Sequence, residues 1–218
     1  MALDETKDYE GKRIIPTARE ILSNKGVDYR VYSSLQAKSK RNLEENHRYI
    51  KVKDLKMKPW AEELSIEGIS ITRQTLRTKL NYLVKAKIVE KKKVGEEQYY
   101  ILPTNFQFYL LIDNRLLRFM TNTMSSNAIK TYFLYRSYTK YYGECTLCQK
   151  QIVENIGLSP KADNNDVLIT DINKLLSKLG LIYIYKNYQK ESGGGVKTPL
   201  TIKTVDESKV LKDLKLVK

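Results

Sequence analysis

The sequence predicts an α+β chain, mainly helical with small β-hairpins, in which one order of elements occurs twice. Three observations carry this expectation. Apolar residues recur at helical spacing after Thr72 and again before Gly180. Each of these helical segments runs into two short β-type runs, separated in both cases by a turn containing glycine. Each is also preceded by an aromatic-rich helical segment and a short helix closed by glycine, so the pattern repeats after roughly 100 residues.

The first copy spans residues 27–102. Val27, Val31, Tyr32 and Leu35 give a helix over 27–38, and residues 47–52 alternate like a short strand. Trp60, Ala61 and Leu64 share one face of a helix over 57–65, with Pro59 accommodated in its first turn. Gly68 then supplies a tight turn. Thr72 is a suitable N-cap for the next helix, in which Leu76, Leu80, Leu83 and Val84 form the buried stripe up to Lys87. Strands over 88–93 and 98–102 enclose the turn at 94–97. The order helix, strand, helix, turn, helix, hairpin is that of a winged helix-turn-helix.

In that geometry the opening turn of the second helix of the helix-turn-helix faces the major groove of DNA. Here it carries Arg73, Gln74 and Arg77 beside the cap Thr72, with Thr78 and Asn81 on the outer face. Arginine pairs bidentately with guanine, and glutamine with adenine. Lys91, Lys92 and Lys93 lie along the wing, where they would neutralise phosphates without reading sequence. A solvated polar face on a three-helix core is the plainer reading of the same residues.

The second copy spans 127–205. It comprises a helix over 127–138, a short strand over 144–147, a helix over 148–156 closed by Gly157, and a longer turn over 160–165. Asn164 or Asn165 would cap the next helix, with Leu168, Ile172, Leu175, Leu176 and Leu179 as its stripe. Strands over 181–188 and 198–205 flank a loop tip at Gly193, Gly194 and Gly195. The candidate DNA contacts here are Lys161, Asn164, Asn165, Thr170, Lys174, Lys190 and Lys197, with Asn173 and Ser177 on the same expected face. Asp166 and Asp171 would repel phosphates, which leaves dimerisation or partner binding open for this copy.

Outside the copies, residues 1–26 form an N-terminal extension with a short helix over 16–26. Residues 103–126 form a connector, an extended segment followed by a helix, whose apolar content argues for packing against both copies. The tail over 206–218 is a basic amphipathic helix or a disordered end. Two modules packed in this way would form an internal pseudo-dimer.

The 218 residues carry 39 Lys and Arg against 25 Asp and Glu, a net charge of +14. Such a surplus attracts polyanions, although a lysine-rich surface alone produces the same number. His47 is the only histidine, which argues against a histidine triad or a multi-histidine metal site. Cys145 and Cys148 have CxxC spacing but no further ligands nearby, so they read as small apolar residues where a strand enters a helix. No phosphate-loop motif is present, and the glycine run lacks the accompanying Lys-Ser/Thr. The expectation is a non-enzymatic protein without cofactor or metal. No 18-residue apolar run or apolar signal core occurs, giving a cytoplasmic expectation without membrane insertion.

Residues 71–77 (ITRQTLR) are similar to the start of the recognition helix in many winged-helix regulators, including the GntR type. That likeness implies DNA contact by Arg73 and Arg77; no effector domain accompanies it. Residues 127–182, with the aromatic first helix, the IGLS turn, the asparagine-rich loop and the LGLI ending, resemble tandem winged-helix replication initiators of Gram-positive plasmids and conjugative elements. The duplicated helix-turn-helix also looks like the TraN-type DNA-binding accessory protein of Gram-positive type IV secretion. These resemblances imply a sequence-specific double-stranded DNA binder at an origin of replication or of conjugative transfer, as a monomer with internal pseudo-symmetry or a homodimer. A transcriptional repressor at an operator, or an adaptor touching replication or secretion proteins, are the alternatives.

Overall fold

The computed structural model describes residues 11–16, 19–42, 47–104, 108–162, 164–186, 189–190, 196–197 and 200–217. Strand β1 (Lys12–Pro16) leads through one helical turn, α1 (Arg19–Leu22), to α2 (Tyr29–Lys38). The Asp28 carboxylate caps α2 by accepting from the amides of Arg30 and Val31. Strands β2 (Lys40–Asn42) and β3 (His47–Lys51) follow, then a 3₁₀ turn (Val52–Asp54), α3 (Met57–Glu63) and α4 (Arg73–Lys85). The hairpin β4 (Glu90–Val94) and β5 (Glu97–Pro103) completes an antiparallel sheet ordered β2-β3-β5-β4.

A second strand–helix–helix series then begins with β6 (Tyr109–Asp113), α5 (Asn114–Thr123) and α6 (Ser126–Tyr142). A single antiparallel bridge, Cys145 to Ile202, occupies the place of β3. After it come α7 (Gln149–Asn155), α8 (Asn165–Lys178) and β7 (Ile182–Lys186). Two short pieces, β8 (Gln189–Lys190) and β9 (Val196–Lys197), pair with each other, and β10 (Leu200–Thr204) returns along β7. Helix α9 (Glu207–Asp213), capped by Asp206, closes the described chain.

The element order therefore recurs, and the recurrence starts earlier than periodicity alone indicates. β1 and β6 lie 97 residues apart, as do the caps Asp28 and Ser125 of α2 and α6. β1 and β6 pair antiparallel with Ile14 opposite Leu111 at the centre. A local two-fold axis through that pair exchanges the strands. The extended piece and helix expected between the copies are present as β6 and α5, and they match β1 and α1.

Three expectations change. The N-terminal helix over 16–26 shrinks to α1, and the residues before it form a strand, because β1 is held by β6 across the chain rather than by local propensity. The strand over 144–147 is reduced to one bridge. Strand β2 lacks an apolar alternation that would have announced it. Asn164 takes the capping position of α8 as expected, in a helical conformation without a side-chain hydrogen bond. The glycine tip at 193–195 lies outside the described residues.

The buried apolar residues of both halves form one continuous core. At its centre α2 meets α6: the Tyr29 amide donates to Ser126 Oγ (2.9 Å), and the Tyr29 and Phe133 rings tilt together at 6.1 Å. Two buried cations bind the halves reciprocally. Arg30 on α2 donates to Leu64 O at the end of α3 and to Thr121 O, just ahead of α6. Lys130 on α6 donates to Ile156 O at the end of α7 and to Asn24 O, just ahead of α2. Each first helix thus satisfies the C-terminal carbonyl of its own second helix and a carbonyl of the opposite half. Burial pushes the Lys130 ammonium down to about 8.

Candidate nucleic-acid interface

Leu76, Leu80 and Leu83 are buried, and this rotation leaves Arg73, Gln74, Arg77, Thr78 and Asn81 exposed. Thr72 caps α4 as expected, its hydroxyl accepting from the Thr75 amide (3.1 Å) and sharing a 2.9 Å contact with Thr75 Oγ1. Thr78 Oγ1 is turned back onto Gln74 O (3.1 Å). Arg73 and Arg77 have no hydrogen-bonding or ionic partner among the described residues. The helix carries Arg73, Arg77, Lys79 and Lys85 and no carboxylate.

The helix is held from behind. Lys79 forms an ion pair with Asp28, the cap of α2, and Tyr82 donates to Asn24 Oδ1 (2.8 Å). Gly26 lies so close beneath the Tyr82 ring that a Cβ there would sit 2.1 Å from its Cζ. Gly68, at φ +75°, makes the turn between α3 and α4, where Ile66 and Ile69 bridge. The exposed cations of α4 therefore stand on a fixed support, which reduces the ordering entropy of any contact they make.

Every residue of β4 is exposed, so Lys91, Lys92 and Lys93 all reach solvent. Gly95, at φ +59°, turns the hairpin. Glu97, beside the hairpin turn, is bound by Lys51, Lys53 and the Tyr99 hydroxyl, which together hold its carboxyl down to about 2. That acid is thus already matched by cations and does not oppose a phosphate at the wing.

The second half differs. In α8 Ile172 and Leu176 are buried and Leu168 and Leu179 pack against the core as expected, Ile169 and Asn173 are buried beside them, and Leu175 alone of the expected stripe is exposed. Asn173, expected outward, is buried and accepts from the Tyr135 hydroxyl (2.8 Å). Thr170, also expected outward, accepts from Gln149 Nε2 (3.0 Å) and donates to Asp166 O (2.9 Å), so it joins α8 to α7. Asn165 Nδ2 donates to Ser159 O across the preceding turn. Lys174 is exposed but paired with Asp171 at 3.2 Å. Lys161, Asn164 and Ser177 are exposed. The backbones of Lys190 and Lys197 lie in β8 and β9, and their side chains fall outside the described residues.

Composition also missed an apolar surface. Val167, Leu175, Tyr183, Ile184 and Tyr185 are exposed, the last three on both sides of β7. The signal was readable as a strand, IYIYK, that is apolar at every position before its terminal lysine. Cys145 is buried in its bridge, and burial pushes its thiol up to about 11. Cys148 stands at the start of α7, its amide bound to Gln151 Oε1 (3.0 Å). His47 meets the Tyr49 ring edge-on at 6.4 Å. Among the described residues no helix is long and apolar enough to cross a membrane.

No protein-family model, curated protein or solved structure matches the chain.

Proposed function

We propose that the chain is a tandem winged-helix protein that binds double-stranded DNA sequence-specifically, at an origin of replication or of transfer on a mobile element. The supporting observation is the opening of α4. Arg73, Gln74 and Arg77 are exposed and unpaired on a helix without carboxylates, next to a wing strand bearing three exposed lysines. The order α2, β3, α3, α4, β4, β5 with sheet order β3-β5-β4 supports a winged helix in the first half. The same order around the Cys145–Ile202 bridge supports a reduced one in the second. The origin role rests on the resemblance of residues 127–182 to plasmid replication initiators. No catalytic role is assigned to any residue.

In this reading Arg73, Gln74 and Arg77 touch base edges, while Lys91, Lys92 and Lys93 touch phosphates. The second half contributes a different surface: the exposed Val167, Leu175 and Tyr183–Tyr185 favour a protein contact there, with a second copy or a replication or secretion partner. Footprinting on the DNA of the source element tests the reading. Protection inside an origin is the expected result; protection confined to a promoter would move the protein to the repressor class, and no protection at any sequence would end the DNA-binding reading.

A further inference from the structure

A cleft of about 450 Å3 opens in the first half, away from the reading edge. Its walls come from the end of α2, the β2–β3 hairpin, the 3₁₀ turn, α3 and one residue of α5; neither α4 nor β4 contributes. Five cations line it, Lys38, Lys40, Lys51, Lys56 and Arg118, against Asp54 and Glu63. Two of the five are already matched, Lys38 by Glu63 and Lys51 by Glu97. Lys40, Lys56 and Arg118 have no carboxylate partner among the described residues.

The negative end of α2 points toward this region and would ordinarily disfavour an anion. Two buried arginines remove that obstacle. Arg48 donates to Ser39 Oγ (2.9 Å) and to Ser39 O (2.6 Å), and Arg13 donates to Gln36 O (3.1 Å). The last carbonyls of the helix are thereby covered by positive charge. The guanidinium groups crowd one another: burial, Arg13 and Arg41 push Arg48 down to about 10, and Arg13 is lowered by burial and by Arg118. Asp113 offsets part of the charge on Arg13, and the remaining positive charge behind the open cleft favours an anion there. Tyr49 and Pro59 add an apolar wall, and the volume falls in the range of small-ligand pockets.

We propose that this cleft binds a polyphosphate, with Lys40, Lys56 and Arg118 holding the phosphates and Tyr49 flanking whatever they carry. The same chemistry is presented by a free nucleotide and by the backbone of a nucleic acid. A free nucleotide would make the protein's DNA affinity responsive to a small molecule; a backbone would make the cleft a second track for DNA beyond the reading edge.

The only tryptophan, Trp60, lies in the cleft wall, is 2% exposed and donates to Ser34 Oγ (2.8 Å), so its emission reports on this place. The full chain is titrated with pyrophosphate, ATP and a short DNA duplex at constant ionic strength, with calorimetry in parallel. Saturable binding is expected, weakened about tenfold or more in Lys40→Gln/Arg118→Gln by loss of charge-assisted bonds. Binding of pyrophosphate and ATP in Arg73→Ala/Arg77→Ala should stay within about twofold, since neither residue lines the cleft. Saturation by pyrophosphate or ATP identifies a free ligand; a cleft-dependent response to the duplex alone identifies a nucleic-acid backbone. Heat and emission both unchanged with all three probes, or binding equal in Lys40→Gln/Arg118→Gln, overturns the proposal. So does pyrophosphate or ATP binding abolished by Arg73→Ala/Arg77→Ala, which would place that binding at the reading edge.

Discussion

The two halves repeat one order of elements but present opposite surfaces. Helix α4 carries four cations and no acid, whereas α8 carries Asp166 and Asp171 against Lys174 and Lys178. The edge strands diverge in the same sense. β4 reads EKKKV and is protected by charge from pairing with another strand. β7 reads IYIYK, pairs only with β10 among the described residues, and exposes Tyr183, Ile184 and Tyr185. The internal frame is alike in the two halves, including the reciprocal Arg30 and Lys130 bonds, while the outer faces differ, one charged and one apolar. Core positions answer to packing and surface positions to partners, so one scaffold can serve two kinds of contact.

The largest effect tests whether the halves are one unit. Phe133→Ala removes a ring packed on Tyr29 of the other half and should cost about 3–5 kcal/mol. Thermal unfolding should remain a single transition shifted downward; two separated transitions would show that the halves fold independently. Next comes the division of labour. Arg73→Ala and Arg77→Ala should each weaken binding to the preferred DNA by about 1–3 kcal/mol and relax sequence preference. Lys174→Ala, already paired with Asp171, should change affinity by less than about twofold. Equal losses from both helices in a gel shift would erase the proposed asymmetry.

A third test uses Lys130. Its proton is bound more weakly in the folded chain than in the unfolded one, so the unfolded state holds more protons between about pH 8 and the ordinary lysine value of 10.5. Stability should therefore rise with pH across that window, relative to Lys130→Met measured in parallel. Parallel curves for the two proteins would remove the charged lysine from the interface. The smallest effect is at the wing. Lys91→Ala, Lys92→Ala and Lys93→Ala should each reduce the slope of log affinity against log salt by about one unit, with sequence preference intact. An unchanged slope in the triple variant would move the phosphate contacts elsewhere.

Much of this was readable in advance, and what was not has physical causes. Thr72 and the leucine stripe of α4 are local signals, and their helix and outer face appear as expected. The wing follows from Gly95 and two short runs of alternating character. Asn173 failed because hydropathy assigns polar groups outward, while Tyr135 offers it a partner inside; Thr170 stays half-exposed but is tied to Gln149 on α7. β1 failed because its partner lies far along the chain and strand pairing leaves no local mark. The cationic cleft was invisible for the same reason: Lys40, Lys56 and Arg118 are brought together only by the fold.

The pairing of β1 with β6 also has a consequence during synthesis. Ile14 and Ile15 need Leu111 and Leu110 across from them, and these residues are added nearly a hundred peptide bonds later. At typical translation rates the nascent chain waits roughly 5–20 s with that apolar segment uncovered. During those seconds the first half can be helical and nearly complete, yet Ile15, fully buried in the folded chain, has no strand to cover it until its counterpart emerges from the ribosome.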